Sequence, residues 1–247
     1  MGNYSFRTDF RINSHSCDLN NHIRPSGLLQ YLQETANLHI ESSGKGYDVL
    51  KKEGRAFILS RVAVTLNEPL YAYERVTGAT TPTESRGASF NRFTTLEKGG
   101  RQIAVLSSLW ALVNVEDKSL IRVNDSHLDL PVGETLSLDA PLKFRIPADL
   151  SLKPLGTIKA NYSLCDRNRH MNNTTYPDEL CNLLSGLDGK RIKDLSICYQ
   201  NEMPLGEEAE VLLGRDAEGV CFFRTLRKSD GKVGVEARMV FADLPVL

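Results

Sequence analysis

Cysteine is scarce in this chain and lacks any regular spacing, which excludes two common classes of protein. The 247 residues include five cysteines, an odd number, and none of them stands in a C-x-x-C pair. A disulfide framework needs an even set, and a zinc ribbon needs closely paired thiols. We therefore expect the cysteines to be mostly small buried side chains.

Long apolar runs and an excess of charge of one sign are also lacking. No apolar run approaches the ~20 residues that cross a bilayer, and the first residues lack the apolar segment of a secretory signal. The formal net charge is −1, and no block of lysine and arginine offers nucleic acid a binding surface. We therefore expect a cytoplasmic globular protein that neither inserts into membranes nor binds nucleic acid.

One polar pattern is present twice. The motif D-x-N-x-H, preceded by Cys, occurs at residues 18–22 and again at residues 166–170. A second echo follows each copy, because NEPL at residues 67–70 is answered by NEMPL at residues 201–205. The chain is therefore predicted to consist of two copies of one module, in which one copy can keep the chemistry while the other shapes the substrate pocket.

Each copy has the same predicted order of elements. In the first copy, apolar residues at helical spacing predict a helix over residues 25–42, with Pro25 in its first turn and Gly44 beyond its end. Strand-like stretches follow at residues 57–66, 73–81, 88–97 and 103–115. The second copy repeats this order with a helix at residues 174–184 and strands at residues 193–201, 208–215, 220–228 and 233–242.

One helix followed by four antiparallel strands can be buried only if the sheet wraps around the helix, which is the hot-dog arrangement. The predicted fold class is therefore α+β, a tandem hot-dog in which each half is an antiparallel sheet around one long helix. We expect an N-terminal half over residues 1–125 that holds the substrate pocket. A proline-rich connector should follow over residues 126–156, and a catalytic C-terminal half over residues 157–247.

The residues of both copies match one family. The first helix carries LQETA at residues 32–36, followed by His39 and Gly44, and the second copy continues its motif with MNN at residues 171–173 and Tyr176. In this order, inside a duplication, the chain resembles the acyl-ACP thioesterases of plants and bacteria. The resemblance implies hydrolysis of the thioester between a fatty acyl chain and acyl carrier protein. The motif residues of the family fall on Asp166, Asn168, His170 and Glu202.

One position departs from the pattern of the plant members. They carry a cysteine, once assigned as a nucleophile, directly after the glutamate, where this chain has Met203. Methionine cannot form a thiolate, so a Cys-His-Asn mechanism is not expected here. The plastid transit peptide is absent as well, from which we expect a bacterial-type, cytoplasmic member.

Hydrolysis of a thioester needs an attacking water, a base that removes its proton, and donors that stabilise the oxyanion. If residues 166–170 are extended, the alternate side chains share one face. The following helix should then direct free N–H groups near Asn173 and Thr174 at the same point. Asn168 can orient the water or the carbonyl. Asn173 and Thr174 are the residues predicted to bind the oxyanion and the thioester.

Two assignments of the base remain open. We favour Glu202 acting on a bound water, with His170 as donor or relay and Asp166 fixing the loop or the tautomer of the histidine. In the alternative, His170 is the base, oriented by Asp166 or Asn168, and Glu202 is its partner.

The first copy is expected to bind the acyl chain rather than to catalyse. Its helix offers an apolar lining through Leu28, Leu32, Ala36 and Ile40, and Trp110 on a later strand is expected in the core or the pocket wall. Its motif continues into Pro25, which has no N–H to offer a carbonyl. His39 is expected to be a buried core histidine. A second working site is left open, because Glu68 echoes the glutamate of the second copy.

No metal or organic cofactor is predicted. A calcium-binding loop that began at Asp166 would need glycine where the chain has Met171, and one histidine among amides and carboxylates is a poor zinc site. Two other functions stay open, an acyl-CoA thioesterase of the same fold and a non-catalytic acyl-binding module. The expected partner is acyl carrier protein with a fatty acyl chain. The sequence also leaves a homodimer open.

Overall fold

The computed structural model describes residues 4–128 and 130–245. The elements of the N-terminal half are β1 (Phe6–Arg11), α1 (Pro25–Ser42), α2 (Tyr47–Lys52), β2 (Arg55–Leu66), β3 (Arg75–Arg86), β4 (Ser89–Lys98), β5 (Arg101–Asn114) and β6 (Leu120–Ile121). Those of the C-terminal half are β7 (Lys153–Lys159), α3 (Tyr176–Asn182), β8 (Lys190–Tyr199), β9 (Glu208–Arg215), β10 (Cys221–Arg227) and β11 (Val233–Asp243).

The strands form one antiparallel sheet with an internal repeat. The order is β1-β3-β4-β5-β2-β8-β11-β10-β9-β7, and β6 pairs with β5. Read outward from the centre, the two halves have the same order, and they meet where β2 pairs with β8, with Val62 opposite Ile197. The predicted tandem hot-dog fold is therefore confirmed, and the two half-sheets are continuous.

The long helix of the first half has the bounds that the sequence predicts. Helix α1 begins at Pro25 and ends at Ser42, and it buries Leu28, Leu29 and Leu32 against the sheet. Gly44 follows with φ +71°, a conformation that favours glycine at the end of a helix. The spacing of apolar residues in the sequence thus predicted both that this segment is a helix and how long it is.

The second half departs from the prediction at two points. Helix α3 covers only Tyr176–Asn182, because the N–H and hydroxyl of Thr174 both bond to the side chain of Asn172 and hold the preceding residues in a turn. It is therefore not a long helix. Strand β7 begins at Lys153, inside the predicted connector, and tolerates Pro154 because it is the edge strand of the sheet. Within the described residues, no helix is both long enough and apolar enough to span a membrane.

Two histidines of the first half lie in the interior. His22 is 1% exposed, and its Nε2 atom has no hydrogen-bond partner within the described part of the chain. Burial lowers the pKa of His22 from its ordinary value of 6.5 to about 4. Burial and the nearby Arg92 guanidinium, 2.9 Å from Nδ1, lower the pKa of His39 from 6.5 to about 4. His39 is thus the core residue that the sequence predicts, and both rings are neutral at pH 7.

Acidification should therefore destabilise the fold. These rings bind a proton more readily in the unfolded chain than in the folded protein. The stability that depends on their being neutral is therefore fully present above pH 6.5 and is lost as the pH falls toward 4. We expect each ring to reduce the free energy of unfolding by roughly 1–2 kcal/mol at about pH 5, measured by denaturant titration. His22→Gln and His39→Gln should flatten this dependence, whereas the exposed His15→Gln should not. A flat profile for the unaltered protein would contradict the prediction.

Candidate active site

The second copy of the motif forms a tight loop. The backbone N–H of Asp166 donates to the carbonyl of His170 at 3.0 Å, and Arg169 has φ +64°. The side chain of Asp166 accepts the N–H of Asn168 at 2.8 Å, which closes the turn locally. Residues 166–170 are therefore not extended, which was the condition for their alternate side chains to share one face, because Asp166 bonds to its own backbone neighbours. Asp166 fixes the loop, one of the two roles expected for it.

The loop places its histidine beside the predicted glutamate. His170 forms an isolated bridge with Pro204, and the N–H of Met171 donates to the carbonyl of Met203 at 2.8 Å. Nδ1 of His170 consequently lies 3.4 Å from Oε2 of Glu202, with the side chains 33% and 62% exposed. Two groups able to exchange a proton thus meet at the surface, where water has access. The structure brings together residues that lie 32 positions apart in the sequence.

The side chain of Asn168 is held from the other half of the molecule. It is exposed, and its Oδ1 atom accepts a hydrogen bond of 2.6 Å from the hydroxyl of Tyr47 in α2. With the oxygen so occupied, the amide nitrogen is left to donate to another group. Tyr47 carries no signal in the sequence, because a six-residue helix is too short to show a period.

Asn173 and Thr174, both predicted to offer free backbone N–H groups before α3, differ in their hydrogen bonding. The N–H of Thr174 donates to Oδ1 of Asn172 at 2.9 Å, and the residue is buried, so the prediction that Thr174 offers a free donor is wrong. Asn173 remains a candidate, since its backbone N–H makes no hydrogen bond among the residues that the structure describes. Its carbonyl accepts the hydroxyl of Tyr199 at 2.8 Å.

A narrow apolar pocket lies beneath α1, with a cavity volume of about 10 Å³, room for about one water molecule. Leu32 and Ala36 line it, and Trp110 and Tyr199 stand at its wall. Leu28 and Ile40, which were also predicted to line an acyl pocket, do not line this one. The remaining lining residues are Leu29, Gln33, Leu59, Val62, Thr94, Leu106 and Ser108.

The physical reason for this difference is the helical pitch. Four residues advance roughly 40° past a full turn, so a series of every fourth residue winds around the helix. The pocket instead follows the stripe 29, 32, 33 and 36. Leu28 belongs to the fully buried core, and Ile40 is half-buried one turn beyond Ala36.

The pocket and the polar loop are connected through aromatic residues. Tyr199 lines the pocket and bonds to Asn173, and its ring lies 5.9 Å from that of Tyr176. Glu202 follows three positions after Tyr199 in the chain. Burial first, and then the nearby Cys165 and Glu202, raise the pKa of Tyr176 above its ordinary value.

The cysteines are unsuited to act as nucleophiles. Burial raises the pKa of Cys165 and Cys198, which disfavours the thiolate. Met203 is fully buried beneath the loop. All five thiols are free, and four of them are half-buried while Cys221 is buried, so the prediction that most cysteines are buried is wrong.

The first copy of the motif is arranged differently. The ring of His22 is buried against Tyr71, and the carboxylate of Glu68 pairs with Arg101 at 3.0 Å. Oδ1 of Asn20 accepts the backbone N–H of Gly189, from the C-terminal half, at 3.2 Å. This copy therefore ties the two halves together, which supports the expectation that it is structural.

Comparison with solved structures shows the same architecture over the whole chain. An acyl-ACP thioesterase from Bacteroides thetaiotaomicron is 22% identical, with a TM-score of 0.80 over 96% of this chain and 97% of the other. A putative oleoyl thioesterase from Lactobacillus plantarum is 18% identical, with a TM-score of 0.79 over 99% and 98%. A 12:0-ACP thioesterase from Umbellularia californica is 15% identical, with a TM-score of 0.78 over 97% of each chain. A search of curated protein sequences gave no match.

These features define a thioester hydrolase built on a tandem hot-dog fold. The model of the acyl-ACP thioesterase N-terminal domain matches residues 3–130, more than half of the 247 residues. The chain belongs to the acyl-ACP thioesterase family, and its substrate class is fatty acyl-ACP.

Proposed function

We propose that this enzyme cleaves fatty acyl-ACP by direct attack of water at the His170–Glu202 pair. The observation that carries the proposal is the 3.4 Å contact between these two side chains, both of which are accessible to water. An acyl chain that enters beneath α1 must widen the narrow pocket there, and its thioester then lies at this pair. Water adds to the carbonyl carbon, and the carbon–sulfur bond then breaks to release the free acid and the carrier thiol.

Each residue takes a separate part in this step. Glu202, the more exposed of the pair, accepts the proton of the attacking water and passes it to Nδ1 of His170, while the proton on the other ring nitrogen of His170 goes to the departing sulfur. The amide nitrogen of Asn168 and the backbone N–H of Asn173 are the donors for the oxyanion. Asp166 acts through the loop that it closes.

The division of labour between the halves is part of the proposal. Residues 1–125 hold the acyl chain, residues 157–247 hold the chemistry, and residues 126–156 connect them, although β7 already begins at Lys153. The pocket supports this division, because ten of its eleven lining residues lie in the first half and the exception is Tyr199. A place in fatty acid biosynthesis, a cytoplasmic location and a homodimer remain predictions.

Release of free thiol tests the function directly. The purified protein is incubated with acyl-ACPs and with acyl-CoAs of matched chain length, against a buffer blank. We expect kcat/KM to be higher for the carrier-protein thioesters. Equal rates for both carriers would favour the acyl-CoA alternative, and binding without thiol release would favour the non-catalytic module.

Chain length should respond to the lining of α1. Ala36→Phe places a ring in the pocket, so we expect the preferred acyl chain to shorten by several carbons, measured as relative kcat/KM over a panel of acyl-ACPs. Ile40→Phe is the matched control, since Ile40 lies on the same helix outside the lining, and its profile should stay unchanged. An unaltered profile for Ala36→Phe in a folded protein would place the acyl chain elsewhere.

A further inference from the structure

Helix α2 of the first half contacts the loop at residues 166–170, which carries the proposed chemistry of the second half. The hydroxyl of Tyr47 donates to Oδ1 of Asn168 at 2.6 Å. The guanidinium carbon of Arg167 lies 3.3 Å from the centre of the Tyr47 ring, and its NH1 atom lies 3.3 Å from Oδ1 of Asp48. Two successive residues of the loop thus meet two successive residues of α2.

This contact matters because the amide of an exposed asparagine has two different ends. Rotation by half a turn exchanges an acceptor oxygen for a donor nitrogen, and the two orientations act oppositely on a carbonyl. In this structure the hydroxyl donates to Oδ1, so the amide nitrogen faces away from Tyr47. The backbone of Asn168 is fixed separately, by Asp166 at 2.8 Å.

We propose that Tyr47 is a positioning residue, which aims the amide nitrogen of Asn168 at the thioester carbonyl. This inference rests on the proposed function, in which Asn168 is a donor to the oxyanion. A donor that is held in place before the reaction needs no reorganisation when the charge develops, so its alignment affects the chemical step more than binding. The N-terminal half thus contributes to catalysis as well as to the acyl pocket.

Tyr47→Phe isolates the hydroxyl. The ring remains for Arg167 to stack on, and only the hydrogen bond to Asn168 is lost. We expect kcat for acyl-ACP to fall by about 5- to 20-fold, part of the 10²- to 10³-fold effect of losing an oxyanion donor altogether, with KM nearly unchanged. Tyr162→Phe is the matched control, because Tyr162 is exposed near the same loop and donates no hydrogen bond in the described structure.

A double-mutant cycle with Asn168→Ala gives the decisive result. If Tyr47 acts through Asn168, then Tyr47→Phe should lower kcat in the native background and have no further effect once Asn168 is alanine. An equal fold-loss in both backgrounds, an unchanged kcat for Tyr47→Phe, or a loss confined to KM would overturn the role of Tyr47. Full activity of Asn168→Ala would overturn the role of Asn168 itself, and the inference about Tyr47 with it.

Discussion

Replacing Glu202 with glutamine should lower kcat by about 10²-fold or more, the effect typical of losing a positioned general base. The amide keeps the size of the side chain but cannot accept a proton from water. Glu202 is exposed and lies in a loop, so the substitution should leave the melting temperature unchanged. Steady-state release of thiol from acyl-ACP, followed beside a thermal melt, measures both quantities.

Two controls make this result specific. Glu68→Gln changes the equivalent residue of the first copy, which pairs with Arg101, and should retain nearly full activity. A double change of Cys165 and Cys198 to alanine should also remain active, since neither thiol is expected to attack the carbonyl. Full activity of Glu202→Gln, or complete loss with the folded cysteine variant, would show that the mechanism is wrong.

The elements that the sequence predicts well are those with a strong period. The helix at Pro25–Ser42 matches because 18 residues repeat one amphipathic pattern. The four strands after it match within a few residues, since two of the three turns between them contain glycine. The turn at Gly99 and Gly100, both with positive φ, is an example. The order of elements then leaves few ways to bury the helix.

The finer parts of the site depend on competition between alternative hydrogen-bond partners, which the spacing of apolar residues in the sequence does not reveal. Thr174 has two alternatives for its N–H, the helix or the side chain of Asn172, and the side chain prevails. The loop at residues 166–170 folds back for the same reason, with Asp166 bonding to its own neighbours. Tyr47 meets Asn168 across 121 positions, a contact that only the packing of the two halves creates.

Duplication explains why the two copies of the motif look alike and yet differ in use. In both copies the asparagine Oδ1 accepts a donor from the opposite half, Gly189 for Asn20 and Tyr47 for Asn168. The histidines have diverged instead. His22 is buried and its pKa is lowered to about 4, whereas His170 is partly exposed beside a carboxylate. The asparagine contact therefore joins the two halves in both copies, whereas only the second copy has an exposed histidine.

Removal of each histidine in turn should therefore have opposite consequences. His170→Ala should abolish most turnover, with kcat lower by about 10²-fold or more, because the group that passes a proton to the sulfur is gone. The half-exposed position should leave folding largely intact. His22→Ala removes a fully buried ring, so we expect it to lower stability by roughly 2–4 kcal/mol while the folded fraction keeps most of its activity.

The comparison requires that activity be expressed per folded molecule. Both variants are assayed with acyl-ACP well below their melting temperatures, and His22→Gln serves as a milder change that fills more of the cavity. If His22→Ala and His170→Ala each halved the rate, both copies would be active sites. If the folded His22 variants were inactive and His170→Ala were active, catalysis would belong to the first copy. Both of these outcomes are unexpected. His22 is buried and Glu68 pairs with Arg101, so these two residues of the first copy do not form an exposed acid–base pair at which a thioester could react.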